Sequence, residues 1–122
     1  MNTLLWLAQW ILATVFAGAG IMKLAVPKRI VETWPTMGYM TELTEAQLKL
    51  IGTAELLGSA GLILPWWSGI LPVLTPLAAL GLIVLMAGAI ATHRRRHEPM
   101  IFVSILALLA LFVAAGRFGF IS

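Results

Sequence analysis

The sequence predicts an all-α integral membrane protein: a four-helix bundle with both chain termini on the non-cytoplasmic side. Three observations predict it. Hydrophobic residues make up 61% of the 122-residue chain and charged residues 11%, whereas a soluble domain carries about 25% charged residues. A small soluble protein needs charge to cover its large surface, and eight Lys/Arg with five Asp/Glu do not suffice. Second, four apolar segments reach the roughly 20 residues that a helix needs to cross the hydrocarbon core. Third, the basic residues gather on one side of these segments. The composition excludes an ordinary soluble domain, a disordered chain and a collagen-like repeat. The absence of cysteine excludes disulfides, thiolate nucleophiles and Cys-ligated zinc or iron–sulfur sites. Residues 1–122 read as a single transmembrane domain.

The first span is predicted over about 3–26. Ala17-Gly18-Ala19 could mimic a signal-peptide cleavage site. The segment lacks a basic start, however, and its apolar run is too long for a signal sequence, so it reads as a retained helix. Pro27 and Pro35 then break the helix, and a polar stretch runs to Gln47. Within it Thr44-Glu45-Ala46-Gln47 fits a capping box, which starts the second helix ahead of the second span at 48–67. Pro65-Trp66-Trp67-Ser68-Gly69 reads as a tight hairpin into the third span at 70–92. Pro72 and Pro76 lie near its start, where the first backbone donors lack partners anyway. His93 to Pro99 then connects to the fourth span at 100–121.

Orientation follows from counting. The first and third loops with their flanks hold Lys23, Lys28, Arg29, Lys49, Arg94, Arg95 and Arg96, and the other side holds Arg117 alone. Seven against one puts both basic loops in the cytoplasm by the positive-inside rule. Trp6, Trp10, Trp66, Trp67, Phe118 and Phe120 then form an aromatic belt at the outer interface. The net charge of +3 therefore speaks for orientation, with Arg94–Arg96 meeting membrane lipid headgroups, and no nucleic-acid partner is expected.

Polar groups inside spans are expensive, so each needs a reason. They are Gln9, Lys23, Glu55, Ser59, His93, Ser104 and Arg117. At helical spacing Gln9, Ala13, Phe16, Gly20 and Lys23 share one stripe. Gly52, Glu55, Gly58 and Ser59 share a face of the second helix, Thr75 to His93 form a stripe in the third, and Ala107, Ala110, Ala114 and Arg117 one in the fourth. Small residues beside polar ones mark packed faces. By depth, Lys23, Glu55 and His93 converge in the inner half, while Gln9 and Arg117 meet near the outer face.

Each residue keeps two readings. Lys23 either snorkels to the headgroups or pairs inside. Glu55, roughly 10 Å deep at 1.5 Å per residue, is either the structural partner of Lys23 or a ligand or proton site. His93 is either a solvated helix end or part of that site. The candidate ligand-binding residues are therefore Lys23, Glu55, Ser59 and His93, and the candidate catalytic groups are Glu55 and His93. Gln9 and Arg117 read as structural polar residues. His93 and His97 could share a metal on one helix, but Pro99 and the loop oppose that geometry, so no metal site is predicted. There is no phosphate loop, nucleophile elbow or HExxH motif.

Several motifs, taken in order, resemble a known family. They are Gln9…Phe16-Ala17-Gly18…Lys23-Leu24, the run Gly52-Thr53-Ala54-Glu55-Leu56-Leu57-Gly58 to Pro65, Pro76 to Leu82 with Met86 to Ala89 and Thr92-His93, and Ala115-Gly116-Arg117. Together they resemble the DoxX-like membrane proteins over essentially the whole chain. Ser104 departs from the pattern, which carries a larger polar residue such as Asn. The resemblance implies a compact four-helix protein of the bacterial inner membrane, multi-pass, with Lys23, Glu55, His93 and Arg117 at the family's polar positions. Members are associated with a thiosulfate:quinone oxidoreductase subunit and with membrane redox defence. What this implies here is an accessory or ligand-binding subunit linked to quinone metabolism, with a partner membrane or redox protein. No cofactor is evident from the residues themselves; a quinone or another lipophilic ligand is what the resemblance adds. Two alternatives stand beside it: an acid/base enzyme acting through Glu55 on a lipophilic small molecule, and a structural interaction protein. Four helices barely enclose a cavity, which leaves a homo-oligomer open.

Overall fold

A computed structural model describes residues 1–35 and 37–120. Its regular elements are all helical: α1 (Asn2–Ala25), short α2 (Lys28–Val31), a 3₁₀ turn (Gly38–Glu42), α3 (Glu45–Ser68), α4 (Leu74–Arg95) and α5 (Ile101–Arg117). α1 packs against α3 and α5, and α4 packs against the same two, so the long helices close a ring in the order α1–α3–α4–α5. α1, α3 and α4 are long and apolar enough to cross a bilayer, and α5 is a shorter apolar helix of 17 residues. Leu12, Phe16, Leu62, Leu82, Ala110 and Val113 meet in the core, while Leu50, Leu57, Val84, Leu108 and other large apolar side chains point outward. Outward leucines are what a lipid-facing bundle presents, because lipid tails are as apolar as the side chains.

α3 begins where Thr44 caps it. The Thr44 hydroxyl accepts from the Gln47 N–H, and the Gln47 side chain accepts from the Thr44 N–H. At the far end the expected hairpin at Pro65 does not form there. α3 runs through Pro65 to Ser68 and stops at Gly69, whose φ of 75° favours glycine. Proline inside a helix leaves the carbonyl four residues earlier without its donor. That carbonyl belongs to Gly61, and the Thr75 hydroxyl of α4 donates to it at 2.8 Å. A neighbouring helix thus supplies the missing bond, as apolar surroundings require. The turn occupies Ile70–Val73, so α4 starts four residues later than the third span predicted from sequence.

The fourth span is also shorter than predicted. α5 ends at Arg117, where Gly119 turns left-handed and the Phe120 N–H closes onto the Ala115 carbonyl. Ile121 lies outside the described residues. α4 ends in a related way at the opposite end of the bundle. His97 adopts φ 57°, and the Glu98 N–H donates to the His93 carbonyl at 2.8 Å. Histidine is one of the few side chains tolerated in this conformation. The turn brings Glu98 back over His93.

The connection between α1 and α3 is more than a polar linker. Val31, Met40 and Leu48 are buried there, with Met22, Val26, Met37, Tyr39 and Leu43 around them. This second small core caps the loop end of the bundle, above Lys23 and Glu55.

Candidate functional site

Two polar clusters lie inside the bundle, one at each end. At the loop end Lys23, in the last turn of α1, meets Glu55 of α3. Lys23 Nζ lies 2.7 Å from Glu55 Oε1, and the two residues are 7% and 4% exposed. They meet because the helices cross on glycine. A Cβ on Gly20 would sit 2.7 Å from the Gly52 carbonyl oxygen, and one on Gly52 would sit 2.9 Å from the Lys23 Cβ. The ammonium is thus in direct ion-pair contact with the buried Glu55 Oε1, and the carboxylate is charge-compensated inside the bundle.

Ser59, one turn from Glu55, does not join the pair. Its hydroxyl donates to the Ala13 carbonyl at 3.0 Å and ties α3 to α1. His93 does not reach Glu55 either. Its Nδ1 lies 2.9 Å from Glu98 Oε1, and its ring meets Tyr39 edge-on at 5.1 Å. Burial first, then the charges of Glu55 and Glu98, hold the Tyr39 phenol above the usual range. Beyond it Glu42 accepts from Arg95 at 2.6 Å and from Arg96 at 2.8 Å. The hydrogen bond from Arg96 leads the causes that hold the Glu42 carboxyl below its ordinary range, and the bond with His93 leads those for Glu98. Two of the three loop arginines are thus engaged with protein, and Arg94 faces outward.

Sequence reasoning missed Tyr39, Glu42 and Glu98. Tyr39 is the single tyrosine of the chain, and its position between the apolar Met37 and Met40 was the available signal. Glu42 and Glu98 gave none, because their partners are set by the fold of two loops.

At the terminal end, Gln9 of α1 and Arg117 of α5 are hydrogen-bonded. Arg117 Nε donates to Gln9 Oε1 at 2.7 Å, and Gln9 Nε2 donates to the Leu62 carbonyl at 2.6 Å. Arg117 Nη1 donates to Asn2 Oδ1 at 2.8 Å. The guanidinium carbon lies 4.5 Å from the Trp66 ring centre and 5.4 Å from that of Trp6. Gly116 lets α5 close on Leu5, where any Cβ would collide with the leucine side chain.

A ring of apolar helices with a buried ion pair at one end and a buried guanidinium at the other defines a small multi-pass membrane protein with polar sites inside its bundle. The family model described as DoxX-like family matches residues 7–116, and the chain belongs to that family. No curated protein and no solved structure matches the chain.

Proposed function

We propose that the protein is a ligand-binding subunit of the bacterial inner membrane, its loop end in the cytoplasm, holding the polar head of a lipid-soluble molecule of the quinone class at Lys23 and Glu55. The observation that carries this reading is the ion pair itself, an ammonium and a carboxylate 2.7 Å apart and almost fully buried between two apolar helices. Charged groups inside membrane spans mark ligand and proton sites. The pair can address both redox forms of such a head group: the Lys23 ammonium can donate to a quinone carbonyl, and the Glu55 carboxylate can accept from a hydroxyl of the reduced quinol. A cleft of about 210 Å³ opens beside Lys23, between the end of α1 and the start of α3; Leu24, Val26, Lys28, Glu45, Leu48 and Lys49 border it, and Glu55 lies behind Lys23, outside its lining. That volume is below the roughly 300 Å³ of a small-molecule pocket, so it suits a head group while a tail lies along the lipid-facing surface. A quinone would supply two-electron chemistry; the chain's own part is to bind, to orient and to exchange a proton at Glu55. Membership in the DoxX-like family supports the redox setting by analogy alone.

Mass spectrometry of the detergent-extracted protein tests the reading. The wild type should retain a lipid-soluble molecule, or take up a short-chain benzoquinol in nanodiscs. Glu55→Gln should lose it while keeping its helicity. A wild type that carries and binds none, or a Glu55→Gln that binds equally well, overturns it. Orientation has its own check. A reporter active only in the cytoplasm should work when fused after Arg95 and fail when fused after Ser122; the reverse pattern would invert the topology.

A further inference from the structure

We infer that the terminal end of the bundle is a second binding site, built by Arg117, Gln9, Asn2, Trp6 and Trp66, for an anionic oxygen of phosphate type. Arg117 is 9% exposed. A guanidinium keeps its proton and carries five N–H donors in a planar fork. Nε donates to Gln9 and Nη1 to Asn2. Nη2 is buried and has no hydrogen-bond partner among the described residues. Nor does any carboxylate lie within ion-pair distance of Arg117 among them. The five acidic residues are Glu32, Glu42, Glu45, Glu55 and Glu98, on the connection ahead of α3, the first half of α3 and the α4–α5 loop.

Among the described residues this buried cation is held by neutral amides and ring faces, which neither compensate its charge nor complete its hydrogen bonds. The aromatic faces attract it but accept no hydrogen bond from Nη2. The missing partner is an acceptor with negative charge, and the parallel donors of the fork match two oxygens of one phosphate. The Asn2 amide oxygen marks the direction from which such oxygens come. Asn2 sits at the exposed start of α1 and Trp66 is half-buried near the end of α3, so a ligand oxygen would enter from this rim in exchange for the Asn2 amide. The site is independent of the Lys23–Glu55 reading, lying at the opposite end. A phospholipid headgroup and a free oxyanion share this chemistry.

The test uses the two tryptophans beside the cation. The full chain is placed in nanodiscs of neutral phosphatidylcholine, and its tryptophan fluorescence is followed against inorganic phosphate at constant ionic strength. A parallel series replaces part of the lipid with phosphatidylglycerol. A saturable change with phosphate assigns a soluble anion, and one confined to the phosphatidylglycerol series assigns a headgroup. Either supports the site if Arg117→Lys, which keeps charge but loses the fork, weakens binding about tenfold or more. Trp66→Phe keeps the ring face and should retain affinity with a smaller amplitude, and it decides the case if Arg117→Lys does not fold. No saturable change from either source in the wild type overturns the site. So does an unaltered curve in Arg117→Lys, or an unaltered amplitude in Trp66→Phe.

Discussion

The two ends of the bundle solve one problem differently. Each brings a basic side chain into a helical interior. At the loop end Lys23 is answered by a carboxylate 2.7 Å away, and further outward Lys28, His93, Arg95 and Arg96 each face an acid too. At the terminal end Arg117 is answered by the oxygens of two amides and the faces of two indoles. The loop end therefore cancels charge, while the terminal end solvates it with neutral dipoles. Cancelled charge leaves each partner dependent on the other. Solvated charge leaves the cation's field in place, and a ligand oxygen can still use it.

The largest effect should come from splitting the cancelled pair. Glu55→Leu leaves the Lys23 ammonium buried and alone, which should cost about 3–5 kcal/mol. The double variant Lys23→Met/Glu55→Leu removes both charges and should recover most of that loss, because a buried pair is often replaceable by apolar residues of similar volume. Unfolding of both variants in mixed detergent micelles gives the two differences. A double variant no more stable than Glu55→Leu would break the comparison, showing that the pair serves packing and not charge balance.

A smaller loss is expected at the terminal end. Gln9→Leu leaves the Leu62 carbonyl without its donor and Arg117 Nε without its acceptor, costing about 2–3 kcal/mol. Gln9→Glu sharpens the contrast. It brings a carboxylate to Arg117 and so imports the loop end's solution, although the Leu62 carbonyl then faces an acceptor. If neutral solvation is the defining feature of this end, Gln9→Glu should lie closer to the wild type than Gln9→Leu in the same unfolding measurement. Equal losses would mean that the bond to Leu62, and not the cation, dominates at position 9.

The sequence made the membrane helices and the meeting of Gln9 with Arg117 legible, because apolar length and helical spacing are local quantities that survive folding. Glu55 and Lys23 were legible by depth for the same reason. The bonds that Ser59 and His93 make were not legible, since a face says which side a residue occupies but not which atom it bonds. Ser59 turns to a carbonyl on α1, and His93 pairs with Glu98, which the left-handed turn at His97 brings over it. The run of α3 through Pro65 was hidden in another helix. Nothing local to Pro65 tells that Thr75 supplies the donor that proline removes. The cap over the loop end was hidden as well, because Val31, Met40 and Leu48 lie too far apart in sequence to form a periodic stripe.

The smallest effect expected is at the exposed rim of the loop end, where charge is cancelled in water. Arg95 and Arg96 fork onto Glu42, tying the end of α4 to the 3₁₀ turn that carries Tyr39. The arginine bonds hold the Glu42 carboxyl below its ordinary range, and the His93 bond does the same for Glu98. An unfolded chain would protonate both near the ordinary value of about 4.3. The folded chain binds those protons less readily, so the contribution of the clamp is present above that range. It fades as the pH falls below it, through the lowered folded value. Exposed pairs are weak and are screened at about 1 M salt, where the Debye length is near 3 Å. The melting temperature of the wild type should therefore fall more steeply than that of Glu42→Gln between pH 5 and 3, and the two profiles should converge at high salt. The buried Lys23–Glu55 pair should keep most of its effect on stability at the same salt, because buried pairs are screened much less than exposed ones. If salt erased both effects alike, Lys23 and Glu55 would be wet, and the contrast between a rim of solvated pairs and a dry pair beneath the cap would be lost.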